Sequence, residues 1–299
     1  MTSLMTSLVT SLMISQTRSW WWLKRLGGSA TAVFGALLLV AFVFMAILAP
    51  QLAPHSPTAP NLLHRLSPPM WLDGGSPDFV LGTDHLGRDI LSRLIFGSRV
   101  ALVVGLGGVA LAASIGITLG LVSGYFGGWV ETVIMRLVDT LIAIPNVILY
   151  LTVLGVFGPS LTILIVVIGF INWTTFARVV RGEVLAVKER EFVEAARASG
   201  QRSGRIIVRH VLPNILAPII VVATLNVATV IILEAALSFL GLGVQPPTVT
   251  WGRMLSDGRD YIATAWWLAT FPGVFITMLG LSLIFMGDWL RDVLDPRVR

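Results

Sequence analysis

Long apolar runs separated by shorter polar stretches dominate this chain. Six of them, near residues 29–49, 100–123, 132–157, 160–177, 215–238 and 266–286, hold few charges over about 20 residues each. A helix of about 20 apolar residues crosses the ~30 Å hydrocarbon layer of a bilayer. The pattern therefore predicts an all-α, polytopic membrane protein with six transmembrane helices. The first run is followed by Pro50 and lacks a small-residue cleavage site, so it is expected to be a retained helix rather than a signal peptide.

Composition agrees and narrows the choice. The chain has 299 residues, of which 55% are hydrophobic and only 12% charged, with a mean hydropathy of +0.85. Soluble domains carry about 25% charged residues. A disordered chain, a nucleic-acid binder and an ordinary cytosolic enzyme are thereby excluded. The formal charge of +5 has a different explanation once it is divided by membrane side. With the N-terminus in the cytoplasm, fifteen of the 21 Lys and Arg residues fall inside and six outside. Six spans and the positive-inside rule then predict both termini in the cytoplasm.

Two scarcities exclude further chemistry. There is no cysteine, hence no disulfide, thiolate metal site or cysteine nucleophile. Lys24 precedes Arg25 and Lys188 precedes Glu189, so neither lysine sits in the Gly-Lys-Ser/Thr sequence of a phosphate-binding loop. Any ATP used by this protein is expected to be hydrolysed on another chain. At the N-terminus, a four-residue repeat (MTSL, MTSL, VTSL) carries no evident chemistry. It leads to Trp20, Trp21 and Trp22 beside Lys24 and Arg25, an expected anchor at the cytoplasmic headgroup layer.

Eight of the basic residues crowd into residues 178–214, between the fourth and fifth spans. Residues 183–199 contain neither Gly nor Pro and predict a helix, with Phe192, Ala195, Ala196 and Ser199 on one face. Small residues there would let another surface approach the backbone closely. Gly200 suits the helix C-terminus, where a positive φ is common. Ser203 could cap a second short helix, and Pro213 marks the entry to the fifth span. Together these features describe a helix–turn–helix elbow projecting into the cytoplasm.

Glu194-Ala195-Ala196, then three residues, Gly200, and Leu212-Pro213 a dozen residues later resembles the EAA loop of ABC importer permeases. Three other stretches extend the resemblance. Residues 81–93 (LGTDHLGRDILSR) look like the segment before the second helix of dipeptide, oligopeptide and nickel permeases. Residues 237–247 (LSFLGLGVQPP), with Thr250-Trp251-Gly252, and the ending at 287–297 (GDWLRDVLDPR) complete the order. His210 and Trp289 depart from the usual residues at their positions. The chain thus resembles the second-permease type of that family, with a long first outer loop and a type I importer-like fold.

The resemblance implies a membrane subunit that forms half of a translocation pathway, most simply for di- or oligopeptides. It implies a homologous second permease, two ABC ATPase subunits that bind ATP and Mg²⁺, and an extracytoplasmic substrate-binding protein. It implies no cofactor on this chain and no nucleic acid among its partners, with lipid around its spans. Glu194, Ala195, Ala196, Ser199, Gly200, Leu212 and Pro213 would then couple to the ATPase. The chain divides into a cytoplasmic tail (1–28), the first helix and long outer loop (29–99), the permease core (100–287) with its coupling loop (178–214), and a second cytoplasmic tail (288–299).

Other polar residues suggest further roles. Residues 83–96 alternate so that Leu86, Ile90, Leu91, Leu94 and Ile95 share a face, predicting an amphipathic helix along the outer interface. Its polar residues Asp84, Arg88, Asp89 and Arg93 could form a collar or a shelf for the binding protein. Arg136 and Asp139, three apart near the inner end of the third span, could pair or act at a gate, with Pro145 kinking the same helix. Glu234, Asn172 and Asn226 could line a polar path or bond between helices. His55, His64 and His85 match no local metal-ligand spacing, so no metal site is expected.

Alternatives remain at this level. A nickel or other small-solute importer would share the architecture. An ion-coupled secondary carrier would call for more intramembrane carboxylates and inverted repeats. An intramembrane enzyme would need a nucleophile–base or metal constellation within the spans, and no His or Cys lies in any of them.

Overall fold

A computed structural model describes residues 27–294 of the chain. The tail repeat, the Trp20–Trp22 anchor and the last five residues lie outside the described residues. The labelled helices are α1 (Ala30–Ile47), α2 (Ile90–Phe126), α3 (Gly128–Ala143), α4 (Asn146–Phe157), α5 (Leu161–Lys188), α6 (Glu191–Ala198), α7 (Leu212–Phe239), α8 (Trp251–Gly258) and α9 (Trp267–Leu294). Among the described residues there is no strand beyond one isolated bridge, Thr83 to Asp89.

Polar residues at the starts of helices set several boundaries. Ser29, Asp89, Ser160 and Thr250 each accept a hydrogen bond from an otherwise unpaired amide in the first turn of α1, α2, α5 and α8. Gly127, at φ +65°, ends α2. Five helices are long and apolar enough to cross a membrane unaided. The sixth span exists only if α3 and α4 are taken together, because they meet at a bend of 85°. The expected kink at Pro145 is therefore a full break. Proline supplies no amide hydrogen and pushes Ile144 into extended geometry (ψ 127°), so the helix stops there.

The second and fourth spans reach beyond their predicted ends. At 37 residues, α2 would be roughly 55 Å long, more than the hydrocarbon layer requires. It starts at Ile90 rather than 100, while α5 continues to Lys188. The predicted interfacial helix over 83–96 is not a separate element. Residues 83–89 form a tight turn, and the apolar face from Ile90 onward is the first part of α2.

α2 and α5 run parallel in close contact along a row of small residues. A Cβ at Gly120 would lie 2.7 Å from Val180 Cβ, and one at Gly124 would lie 2.8 Å from Val184 Cβ. Gly116 abuts Phe176 and the Trp173 carbonyl. Small residues spaced by four are a recurrent means of bringing two membrane helices together. α7, α9 and α1 pack around this pair and share one apolar core.

The bundle has two unlike ends. One carries the turn at 83–89, the loop before it, and the segment from 240 to 266; this is the collar. The other carries α6 and the turns that follow it; this is the elbow.

Candidate functional site

The elbow begins where α5 stops. Arg190 turns the chain, and its carbonyl accepts from the amides of Val193 (2.9 Å) and Glu194 (3.2 Å), starting α6. The single helix expected over 183–199 is thus two helices, broken at Glu189-Arg190. Glu191 and Glu194 lie in the first turn of α6 and Arg197 in its last, each favourable to the helix dipole. At the far end Gly200 has φ +74°. Its amide donates to the Arg197 carbonyl at 3.0 Å, and the Gln201 amide reaches back to Ala196 O at 3.2 Å. This is the Schellman arrangement, and the positive φ explains glycine at that place.

The chain then returns through a short turn (Ser203–Ile206) and a π-helical turn (Ile207–Val211) into α7. Arg202, not Ser203, precedes the first turn, and no side chain caps it. Pro213 cannot donate to the carbonyl four residues before it, which fits a wider turn at this point. His210 Nε2 lies 3.1 Å from Gln201 Oε1, and Asn214 Nδ2 donates to His210 O at 2.7 Å. His210 therefore ties the two arms of the elbow together.

The side chains of α6 divide differently from the expected face. Val193 and Ala196 are turned inward, buried with Leu121, Val184, Val187, Ile206, Val211 and Ile215. Phe192, Glu194, Ala195, Ser199 and Gly200 are exposed, Phe192 at 39%. Ala196 thus belongs to the elbow's own core, whereas Ala195 and Ser199 border open space. Of the remaining sequence candidates here, Leu212 is half-buried and Pro213 exposed. Beside the elbow lies a cavity of about 380 Å³ bounded by Tyr125, Phe126, Lys188 and Arg197.

At the collar the four sequence candidates come together, but inward. Asp84, Asp89 and Arg93 are buried. Asp84 Oδ1 accepts from the amides of Leu86 (2.8 Å) and Arg88 (3.0 Å), while Oδ2 accepts from Arg88 Nε (2.7 Å) and from Arg93. Burial alone would raise the Asp84 pKa. The Arg93 and Arg88 charges, with the two amides, outweigh it and hold the carboxyl below its ordinary value of 3.8. Asp89 Oδ2 caps α2 through Ser92 N at 2.8 Å and Ser92 Oγ at 2.6 Å. Gly87 is required by close approach, since a Cβ there would overlap the Asn61 carbonyl.

Arg253, Asp257 and Trp267, which no sequence pattern marks, complete the collar together with Trp251 and three histidines. Asp257 of α8 receives Arg253 Nε at 3.0 Å and lies 3.6 Å from both Arg88 and Arg93. Trp251 Nε1 donates to Leu94 O at 2.9 Å, and Trp267 Nε1 to Thr83 O at 3.2 Å. The Trp251 ring also meets Phe42 and Phe275 edge-on at 5.8 Å. His55 and His64 pack on the Phe79 ring, and His85 stacks on Tyr261.

The acidic residues of α3 find partners across the bundle rather than along it. Asp139 pairs with Arg178 of α5 at 2.8 Å, not with Arg136. Arg136 is exposed and makes no ion pair among the described residues. Glu131 pairs with Arg181. Such pairs are 39 and 50 residues apart, and no local spacing announces them. Glu234 is buried in α7 and accepts from Ser238 Oγ at 2.7 Å. Asn226 bonds within its own helix, Nδ2 to Val222 O at 2.9 Å.

The half of the chain that contains the elbow decides its kinship. Residues 116–299 match the family described as binding-protein-dependent transport system inner membrane component. The chain belongs to that family. Residues 15–69 also match the N-terminal transmembrane domain of oligopeptide transport permease C. This permease is 42% identical over 276 residues to the dipeptide transport system permease protein DppC of Alkalihalophilus pseudofirmus, covering 92% of this chain and 89% of that one. It is 42% identical over 268 residues to the di/tripeptide transport system permease protein DppC of Pseudomonas aeruginosa, with 90% and 88% covered. The probable D,D-dipeptide transport system permease protein DdpC of Escherichia coli is 38% identical over 277 residues, with 93% and 90% covered. Among solved structures, an inward-facing form of the MetNI methionine ABC transporter matches at a TM-score of 0.55 and 20% identity, covering 68% of this chain and 96% of that one. The fold is therefore that of an ABC transporter permease, and the protein is a multi-pass membrane permease.

Proposed function

We propose that this chain is the membrane permease subunit of an ATP-driven importer of short peptides, forming half of the translocation pathway. The observation that carries the reading is the elbow. It is a stiff, glycine-terminated helix, packed on the ends of α5 and α7, that leaves Phe192, Ala195 and Ser199 open. Such a face suits a partner that fits over it and moves it. The peptide transport names of relatives 38–42% identical support the cargo class.

In this reading a homologous permease completes the pathway, and two ATPase subunits hold ATP and Mg²⁺ and meet Glu194, Ala195, Ser199 and Gly200. Ala196, Leu212 and Pro213 hold the elbow in shape. An extracytoplasmic binding protein delivers peptide at the collar, and the elbow face with both termini is cytoplasmic. Closure of the ATPase pair shifts the elbow, and the ends of α5 and α7, packed against it, carry the shift into the membrane. Nucleotide drives this change by the difference in its affinity for the two states. Arg136, Asp139, Pro145 and Glu234 are then candidates for the parts that rearrange, the break at Pro145 being a natural hinge between α3 and α4.

The test is reconstitution of the chain with a homologous permease, two ABC ATPase subunits and a substrate-binding protein. ATP-dependent uptake of a labelled dipeptide into vesicles is the expected result. Uptake that persists without ATPase subunits, or that follows an ion gradient instead, would contradict the reading.

A further inference from the structure

The collar encloses a cavity of about 430 Å³ that its own packing does not explain. Arg88, Arg93, Arg253 and Asp257 supply its charged lining, and Pro246, Pro247 and Val249 supply an apolar wall. Its charges do not balance. Three guanidinium groups line it with one carboxylate, Asp257, and Asp84, behind Arg88 and Arg93, already accepts on both of its oxygens. Asp257 receives Arg253 directly, but Arg88 and Arg93 stop 3.6 Å from it, beyond ordinary hydrogen-bond length.

Two lining residues also keep buried polar atoms without a partner among the described residues, Arg93 Nε and His85 Nδ1. The Arg93 side chain is only 4% exposed. A guanidinium N–H is always a donor, and a buried donor without an acceptor is rare and unfavourable, so Arg93 Nε beside this cavity points to a missing acceptor. Guanidinium groups present paired donors that match a carboxylate. The volume falls within the ~300–1,000 Å³ range of small-molecule sites, well beyond the space of one water.

We propose that this cavity is a binding site for the C-terminal carboxylate of a short peptide, held by Arg88 and Arg253 in front of Arg93, with the peptide lying along the Pro246–Val249 wall. This inference rests on the peptide-import reading above. It gives the permease its own contact with cargo, one that recognises a group common to every unmodified peptide and is indifferent to side chains.

An acidic side chain on a docked binding protein would offer the same group, so the test separates the two sources. The assembled importer, without binding protein, is placed in lipid nanodiscs and titrated with Ala-Ala and with Ala-Ala amide by saturation-transfer NMR. Saturable binding of Ala-Ala is expected. Amidation, or Arg253→Gln, is expected to weaken it at least about tenfold, with Arg253→Lys intermediate. Arg253 is bonded only to Asp257 one turn away, and an unchanged thermal midpoint checks that the variant is folded.

No saturable binding of Ala-Ala to the unmodified importer would overturn the proposal, as would equal binding of the amide. Loss of affinity for the binding protein in Arg253→Gln, without any Ala-Ala binding, would also overturn it and assign the cavity to docking. ATP-driven dipeptide uptake by the same importer with its binding protein is measured in parallel. If uptake is intact while the binding result fails, the site falls and the function stands. If uptake itself is absent, the function reading falls.

Discussion

The two ends of this permease are built on opposite principles. The collar joins residues far apart in sequence: Trp251 to Leu94 across 157 positions, and Trp267 to Thr83 across 184. Its charges are buried and interlocked, and its turn at Gly87 has no room for a methyl group. The elbow is local. Its packing comes from the adjoining ends of α2, α5 and α7, and one face of α6 is left uncovered. The collar is held together from within, around a cavity whose charges are not balanced, whereas the elbow has a packed inner half and an open outer face.

Breaking the collar is expected to have the largest effect. Asp84→Ala strands Arg93 in a buried site, and removing one partner of a buried ion pair destabilises by about 3–5 kcal/mol. The detergent-solubilised protein should show a markedly lower thermal midpoint. Equal stability to the unmodified chain would mean that the collar is not the rigid end.

The elbow sharpens the contrast within a single helix. Ala196→Arg forces a large charged group into the cluster of Val193, Ile206 and Val211, and overpacking alone costs about 1–3 kcal/mol. This variant is therefore expected to lose transport together with stability, read as a lowered thermal midpoint. Ala195→Arg, one position away on the open face, should leave the thermal midpoint within the ~0.5 kcal/mol typical of surface changes.

Acid separates the two ends more gently. The folded Asp84 carboxyl has its pKa below 3.8, so at low pH the unfolded chain takes up a proton before the folded one does. The pairing stabilises fully above that ordinary value, and its contribution disappears as pH falls through the lower folded value. Protection of the 83–89 amides from hydrogen exchange should stay level from neutral pH to about 5 and decline only in stronger acid. A decline beginning near neutrality would contradict the assignment. The smallest effect is expected from Arg178→Ala, since this pair is exposed on both sides (52% and 63%). Such pairs contribute about 0.2–1 kcal/mol, and the change should shrink with added salt.

Much of this architecture is legible in the chain itself. Apolar runs mark the spans, and Gly200 marks the turn of the elbow because only a residue tolerant of positive φ fits there. The glycines at 116, 120 and 124 signal the close α2–α5 contact through their spacing, although apolar content alone hides them. Other features depend on contacts that no local pattern contains. Asp139 looks like the partner of Arg136 by spacing, but Arg178 reaches it from a neighbouring helix. Arg88 and Arg93 suggest an exposed amphipathic face until Asp84 and Asp257 draw them inward. Which alanine of α6 faces out depends on the break at Glu189-Arg190, where nothing in the composition interrupts a helix.

In the proposed function the outer face of α6 is a coupling surface and not a structural one. Its most direct test is Ala195→Arg in the assembled importer, reading ATPase co-purification and ATP-driven dipeptide uptake together with the thermal midpoint of the isolated chain. A folded, membrane-inserted subunit that loses most of its bound ATPase and its uptake is expected. Normal co-purification and uptake in that variant would contradict it.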